Sequence, residues 1–133
     1  MKYLDSNVFL YAYLGSAEKG ECSRKILKEI SEGTAAVTST LTINEIVWVL
    51  LKNTGDRENA IKQALQTLEL PNLTVLEVNA TDMYSALGYM KKYPKLKPRD
   101  AIHIAVSLRA GVFRIVSNDS DFDGISEIER EDL

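Results

Sequence analysis

Short apolar runs alternate with longer stretches of helical spacing along the whole chain, and that alternation sets the architecture it can adopt. Lys2–Leu4, Ala35–Thr38, Leu73–Val78 and Phe113–Val116 have the length and apolar content of buried strands. Between them lie candidate helices at Val8–Leu14, Ala17–Ser31 and Leu41–Lys52. A fourth opens at Asp56 with the stripe Ala60, Ile61, Ala64, Leu65 and Leu68, a fifth runs from Asn79 to Tyr93, and a sixth spans Arg99–Ala110. Glycines 15, 33, 55 and 111 and prolines 71, 94 and 98 punctuate these segments. Strands separated by helices predict a parallel sheet, because each parallel pair needs a crossover long enough to hold a helix. The expected fold is therefore α/β, a three-layer α/β/α domain with a parallel central sheet flanked by helices. No internal repeat, low-complexity segment or Pro/Gly/Ser-rich linker interrupts the pattern, so residues 1–133 are expected to form a single domain.

Composition removes several classes of function. The apolar fraction of 45% and charged fraction of 26% are those of a globular protein with a core. One cysteine (Cys22) rules out an internal disulfide, and one cysteine with one histidine (His103) falls short of a structural zinc site. No apolar run approaches the ~20 residues of a membrane span, and the start MKYLDSN has no secretory character, so a cytoplasmic protein is expected. Net charge is −3, unevenly spread: residues 119–133 carry seven acids against Arg130 alone, a net of −6, leaving the rest at +3.

Ligands of parallel sheets gather beyond the carboxyl ends of the strands. Asp5 follows the first predicted strand, and Ser117-Asn118-Asp119-Ser120-Asp121 follows the fourth. Glu45 lies on the helix after the second strand, and Asp100 opens a later one. Like charges brought together repel unless a positive group sits among them, and Mg²⁺ or Mn²⁺ suits an all-oxygen site. Each acid has a structural alternative. Asp5 can cap a helix, Asp100 can favour a helix dipole, and Asp119 and Asp121 can be turn residues. Glu45 is harder to explain away, because its helix is apolar nearly all round: it needs a metal, a partner, or a capping box with Thr42. His103, one turn after Asp100, reads as a hydrogen-bonded supporting or core residue. Trp48, Tyr3, Tyr11 and Tyr13 read as core or half-buried packing, and Cys22 as a small hydrophobe.

Four motifs in order, LDSNVFL, TSTLTINEI, PRDAIHIAVSLRAG and VSNDSDFDGI, resemble those of the PIN-domain ribonucleases, particularly the VapC-type toxins of toxin–antitoxin pairs. The resemblance spans the whole chain. It implies that Asp5, Glu45, Asp100 and Asp119 form an acidic quartet, with Asp121 a fifth carboxylate and Asn7 and Ser117 orienting the others. It implies Mg²⁺- or Mn²⁺-dependent hydrolysis of RNA phosphodiester bonds, a homodimer, and a small antitoxin covering the cleft. An RNA-processing nuclease without an antitoxin, or a module that holds metal and RNA without cutting, has the same motifs. A haloacid-dehalogenase-type phosphotransferase would want an Asp where this chain has Asn7.

A polyanionic substrate needs basic surroundings for an acidic site. Lys91, Lys92, Lys95, Lys97 and Arg99 precede Asp100 directly and are the expected RNA contacts, with Tyr89 and Tyr93 available to stack on unpaired bases.

Overall fold

A computed structural model describes residues 1–15 and 17–133. Its strands are β1 (Lys2–Leu4), β2 (Ala36–Ser39), β3 (Leu73–Leu76), β4 (Arg114–Val116) and β5 (Glu129–Glu131). Its helices are α1 (Ser6–Leu14), α2 (Ala17–Ser31), α3 (Thr40–Thr54), α4 (Arg57–Leu68), α5 (Ala80–Lys92) and α6 (Pro98–Arg109), with a 3₁₀ turn at Ser120–Phe122. The strands form one all-parallel sheet in the order β3-β2-β1-β4-β5. The expected α/β/α architecture is what the chain adopts.

Alternation along the strands assigns each residue to a face. Tyr3, Val37 and Ile115 point into a core with Ala86 of α5 and Ala101, Ile104 and Ala105 of α6. Their neighbours Leu4, Ala36 and Val116 point into a second core with Val8 and Phe9 of α1, Ile30 of α2, Ile46 and Leu50 of α3, and Ala60 of α4. Helix ends are written in the sequence. Asp56 caps α4 by accepting from the Asn59 amide, and Asn79 and Asp82 form a reciprocal capping box on α5. Gly55 ends α3 at φ 68°, donating its amide to the Leu51 carbonyl, a left-handed conformation that suits glycine.

Three details differ from expectation. The sheet has a fifth strand, β5, whose sequence Glu-Arg-Glu has no apolar residue; an edge strand needs backbone pairing, not hydrophobicity. Trp48 is 55% exposed, because α3 buries only the face bearing Thr42, Ile46 and Leu50. Cys22 is exposed on α2 rather than packed.

Candidate active site

The strand order reverses beside β1: the chain builds outward through β2 and β3, then returns to lay β4 on the other side of β1. Such a switch point opens a crevice at the strand ends. Asp5 leaves β1 and Ser117 leaves β4 at that crevice, and α3 and α6 bring Glu45 and Asp100 to it.

Asp5 is buried and fully engaged. It caps α1 by accepting from the Ser6 amide (2.8 Å), while its other oxygen accepts from the Ser117 hydroxyl (2.7 Å) and the Asn7 side-chain amide (3.0 Å). Ser117 Oγ also accepts from the Asp119 amide (3.0 Å) and the Asn7 amide (3.0 Å). Asn7 Oδ1 accepts from the Asn118 amide (3.3 Å). Asn7 and Ser117 thus tie the ends of β1 and β4 into one polar cluster. Burial raises the Asp5 carboxyl above its ordinary pKa, and the pull of His103 and Ser117 does not cancel it.

Glu45 has neither a Thr42 capping box nor solvent as its answer. Thr42 pairs with Thr38 instead (2.8 Å), and Glu45 Oε1 lies 2.6 Å from His103 Nε2. His103 is wholly buried on α6, and its Nδ1 lies 2.6 Å from the Tyr3 hydroxyl, which is 2.8 Å from Ser39 Oγ. Its Nε2 is also 3.5 Å from Asp5 Oδ1. Burial opposes a charge on this ring, but the Tyr3 oxygen, the hydrogen bond to Glu45 and the nearby carboxylates of Asp5 and Glu45 outweigh it. The pKa of His103 therefore lies well above its ordinary value.

Asp100, Asp119 and Asp121 each offer an oxygen within 4.8 Å of the others, and an oxygen each of Asp5 and Glu45 and a ring nitrogen of His103 lie equally close among themselves. Glu45, Asp100 and Asp119 line one open cleft of about 390 Å³ together with Lys97, Pro98 and Arg99. Asp100 is 9% exposed, and its buried Oδ2 has no hydrogen-bond partner among the described residues. Burial, then the charges of Asp119 and Asp5, push its carboxyl up to about 7. Five carboxylates from four segments therefore lie in two groups about the crevice, Asp5 and Glu45 with His103 in one and Asp100, Asp119 and Asp121 in the other. An all-oxygen donor set with one orphaned buried oxygen fits a hard divalent cation; His103 Nε2 is already committed to Glu45.

The basic stretch divides between the cleft rim and the C-terminal end of α5. Lys97 pairs with Asp121 at 3.0 Å on the rim, and Arg99 lines the cleft. Lys92 instead pairs with Glu127 (2.9 Å), and Tyr93 hydrogen-bonds Ser126 (2.8 Å) and Glu127. Tyr89 and Tyr93 are partly buried against the α5–α6 core, which limits them as stacking platforms. Lys91 and Lys95 are exposed and make no ion pair with the described residues. His103 is the hydrogen-bonded supporting residue the sequence suggested, but its partners, Tyr3 and Glu45, were not legible there. A phenol two residues before Asp5 on a strand, and a histidine one turn after Asp100, were the only signals of that link.

A parallel sheet with carboxylates gathered at its switch point is an arrangement able to hold a divalent cation. A PIN domain model matches residues 2–128. Ribonuclease VapC13 of Mycobacterium tuberculosis is 31% identical over 98% of each chain. Among solved structures, the sarcin–ricin-loop-cleaving toxin VapC20 of Mycobacterium tuberculosis superposes with a TM-score of 0.77 at 15% identity, covering 96% of this chain and 98% of that one. VapBC2 of Rickettsia felis, bound to promoter DNA, gives a TM-score of 0.76 at 14% identity, covering 100% and 99%. The chain belongs to the PIN domain family and, within it, to the VapC ribonucleases.

Proposed function

We propose that this protein is a Mg²⁺- or Mn²⁺-dependent endoribonuclease that hydrolyses RNA phosphodiester bonds, acting in the cytoplasm as the toxin of a toxin–antitoxin pair. The reading is supported by two groups of potential ligands, Asp5 and Glu45 with His103 and Asp100 with Asp119 and Asp121, by the cleft that Glu45, Asp100 and Asp119 line, and by the buried Asp100 Oδ2, unpartnered among the described residues. These carboxylates would hold the cation. Lewis-acid polarisation and charge neutralisation at the scissile phosphate would come from it when bound.

The remaining residues prepare the site. Asn7 and Ser117 hold Asp5 by both flanks of one oxygen, so its carboxylate cannot rotate away. His103 holds Glu45 at the cleft wall. Lys95, Lys97 and Arg99, with Lys91 further out, supply the positive rim that an acidic site needs to approach a polyanion. Trp48, Ile61, Leu65 and Leu68, exposed on α3 and α4, and Met83, Tyr84 and Leu87, exposed on α5, supply apolar surface for a second copy and for the small antitoxin.

Cleavage of short single-stranded RNAs with Mn²⁺ tests the reading. The parent protein cuts, and Asp5→Asn loses cutting while keeping RNA binding. A variant that cuts at the parent rate reduces Asp5 to a helix cap and removes the mechanism. RNA bound but never cut by the parent favours the non-cleaving module. Sedimentation as a strict monomer at high concentration removes the homodimer.

A further inference from the structure

Arg130 stands alone among seven acids in residues 119–133, and it lies on the one strand that the hydrophobic pattern did not announce. It is not a surface charge; its side chain is only 16% exposed. Its guanidinium donates twice to the Asp123 carboxylate, from Nε to Oδ1 (2.8 Å) and from Nη2 to Oδ2 (3.1 Å). Its third nitrogen, Nη1, donates to the Ser117 backbone carbonyl (3.1 Å) and lies 3.3 Å from Asp132 Oδ1. Ser117 and Asp123 are the two ends of the segment that carries Asp119 and Asp121.

We propose that Arg130 is a positioning residue that clamps the Ser117–Asp123 segment and so sets the carboxylates of Asp119 and Asp121 in register with Asp100. This rests on the cation-site reading above. Within the segment, local bonds run from the Asp119 amide to Ser117 Oγ, from the Asp121 amide to Asp119 Oδ1 and from the Asp123 amide to the Ser120 carbonyl, while Asn118 reaches Asn7 and Tyr11 and Phe122 is buried in the core. At its exit Gly124 turns the chain at φ 80°. Arg130 is the side chain that ties both ends of the segment to the sheet edge at once, because β5 is itself bonded to β4 and its Glu131 carbonyl accepts from the Ser117 amide (3.0 Å).

Only a planar fork performs this task. Bidentate pairing to Asp123 uses two nitrogens, and the third remains free for a carbonyl. Lysine keeps the charge but cannot span both ends, so Arg130→Lys isolates geometry from electrostatics. Residues that hold a metal site from behind are worth roughly tenfold or more in metal affinity.

The experiment uses the full chain and its Arg130→Lys and Asp123→Asn variants. Mn²⁺ affinity is read by calorimetry, and amide hydrogen exchange is followed at residues 118–122 and in α6. Arg130→Lys should bind Mn²⁺ roughly tenfold more weakly and exchange faster at 118–122, with α6 unchanged. In cleavage assays kcat falls and the KM for RNA holds. Asp123→Asn leaves Arg130 in place and opens only the far end, so it shifts in the same direction by a smaller factor. Parent Mn²⁺ affinity and parent exchange in both variants overturn the clamp, and so does faster exchange spread equally over α6, which marks a general stability role. A parent protein with no Mn²⁺ response fails the cation-site reading itself and takes the clamp with it.

Discussion

With its carboxyl pushed to about 7 against an ordinary 3.8, Asp100 makes the metal-free protein sensitive to pH near neutrality. Between those two values the folded state holds a proton that the unfolded chain has released. Stability therefore falls as pH rises through that window, and the loss is complete above about 7. Thermal unfolding in a chelator should show the parent melting lower at pH 8 than at pH 5. Asp100→Asn should flatten that dependence and melt higher than the parent at pH 8, while losing the rise in melting temperature that Mn²⁺ gives the parent. Tyr3 sets a second residue-scale expectation. Its hydroxyl serves both Ser39 Oγ and His103 Nδ1 in a buried site, so Tyr3→Phe leaves two polar groups short of a partner. The cost is about 1–2 kcal/mol, read as a lower melting temperature, and Mn²⁺ affinity should fall as Glu45 loses its fixed support.

Among the elements, α5 is joined to the rest of the fold by a polar clip as well as by its apolar face. Asp82 closes the capping box with Asn79 and receives Arg109 from α6 through Nε (2.8 Å) and Nη2 (3.0 Å). Arg109 Nη2 also donates to the Glu77 carbonyl (2.7 Å), reaching the chain between β3 and α5. One buried carboxylate thus organises the start of α5 and the end of α6. Burial works against its charge, but Arg109 and the Asn79 amide win, and its pKa lies below the ordinary value. Asn79→Ala removes one side of the box and should cost about 1 kcal/mol, a few degrees of melting temperature, with RNA cleavage unchanged. Loss of cleavage at undiminished stability would show that α5 reaches the site in a way the clip does not explain. At β5 the elements meet differently: Lys2, Arg114 and Lys92 pair with Glu131, Glu129 and Glu127, so the acidic end of the chain is laid along basic positions of the body.

At the scale of the whole molecule, those pairings offset part of the acidic end, while Asp100 and Asp119 at the cleft make no ion pair with the described residues. The acids there converge, and Lys97, bonded to Asp121, marks the boundary between the negative crevice and the positive rim. Rim and crevice should be separable by experiment. Replacing Lys95 and Lys97 with Ala should weaken RNA binding and flatten its salt dependence, by roughly 0.7 in log–log slope per lost contact with a single strand. Because Asp121 is freed from its ion pair, Mn²⁺ affinity in that variant should stay the same or rise. An unchanged salt slope would take the rim out of RNA recognition.

Apolar periodicity by itself determined the layer architecture, the parallel sheet and the helix boundaries to within a few residues, because these follow from local burial patterns and caps such as Asp56, Asn79 and Gly55. The motifs around Asp5, Glu45, Asp100, Asp119 and Asp121 were legible through their order and their resemblance to a family, while spacing alone left each acid a structural alternative. Folding alone decided the rest. β5 is charged and pairs through its backbone at an edge, so no hydrophobic signal marks it. Trp48 reads as core on an apolar helix, but only the docking of α3 selects which face is buried. Glu45 required a partner on any reading. That the partner is His103, steadied by Tyr3, depends on α3 and α6 arriving from opposite faces of the sheet at one strand end, and a hydrogen bond between groups 58 residues apart leaves no trace in the spacing of either.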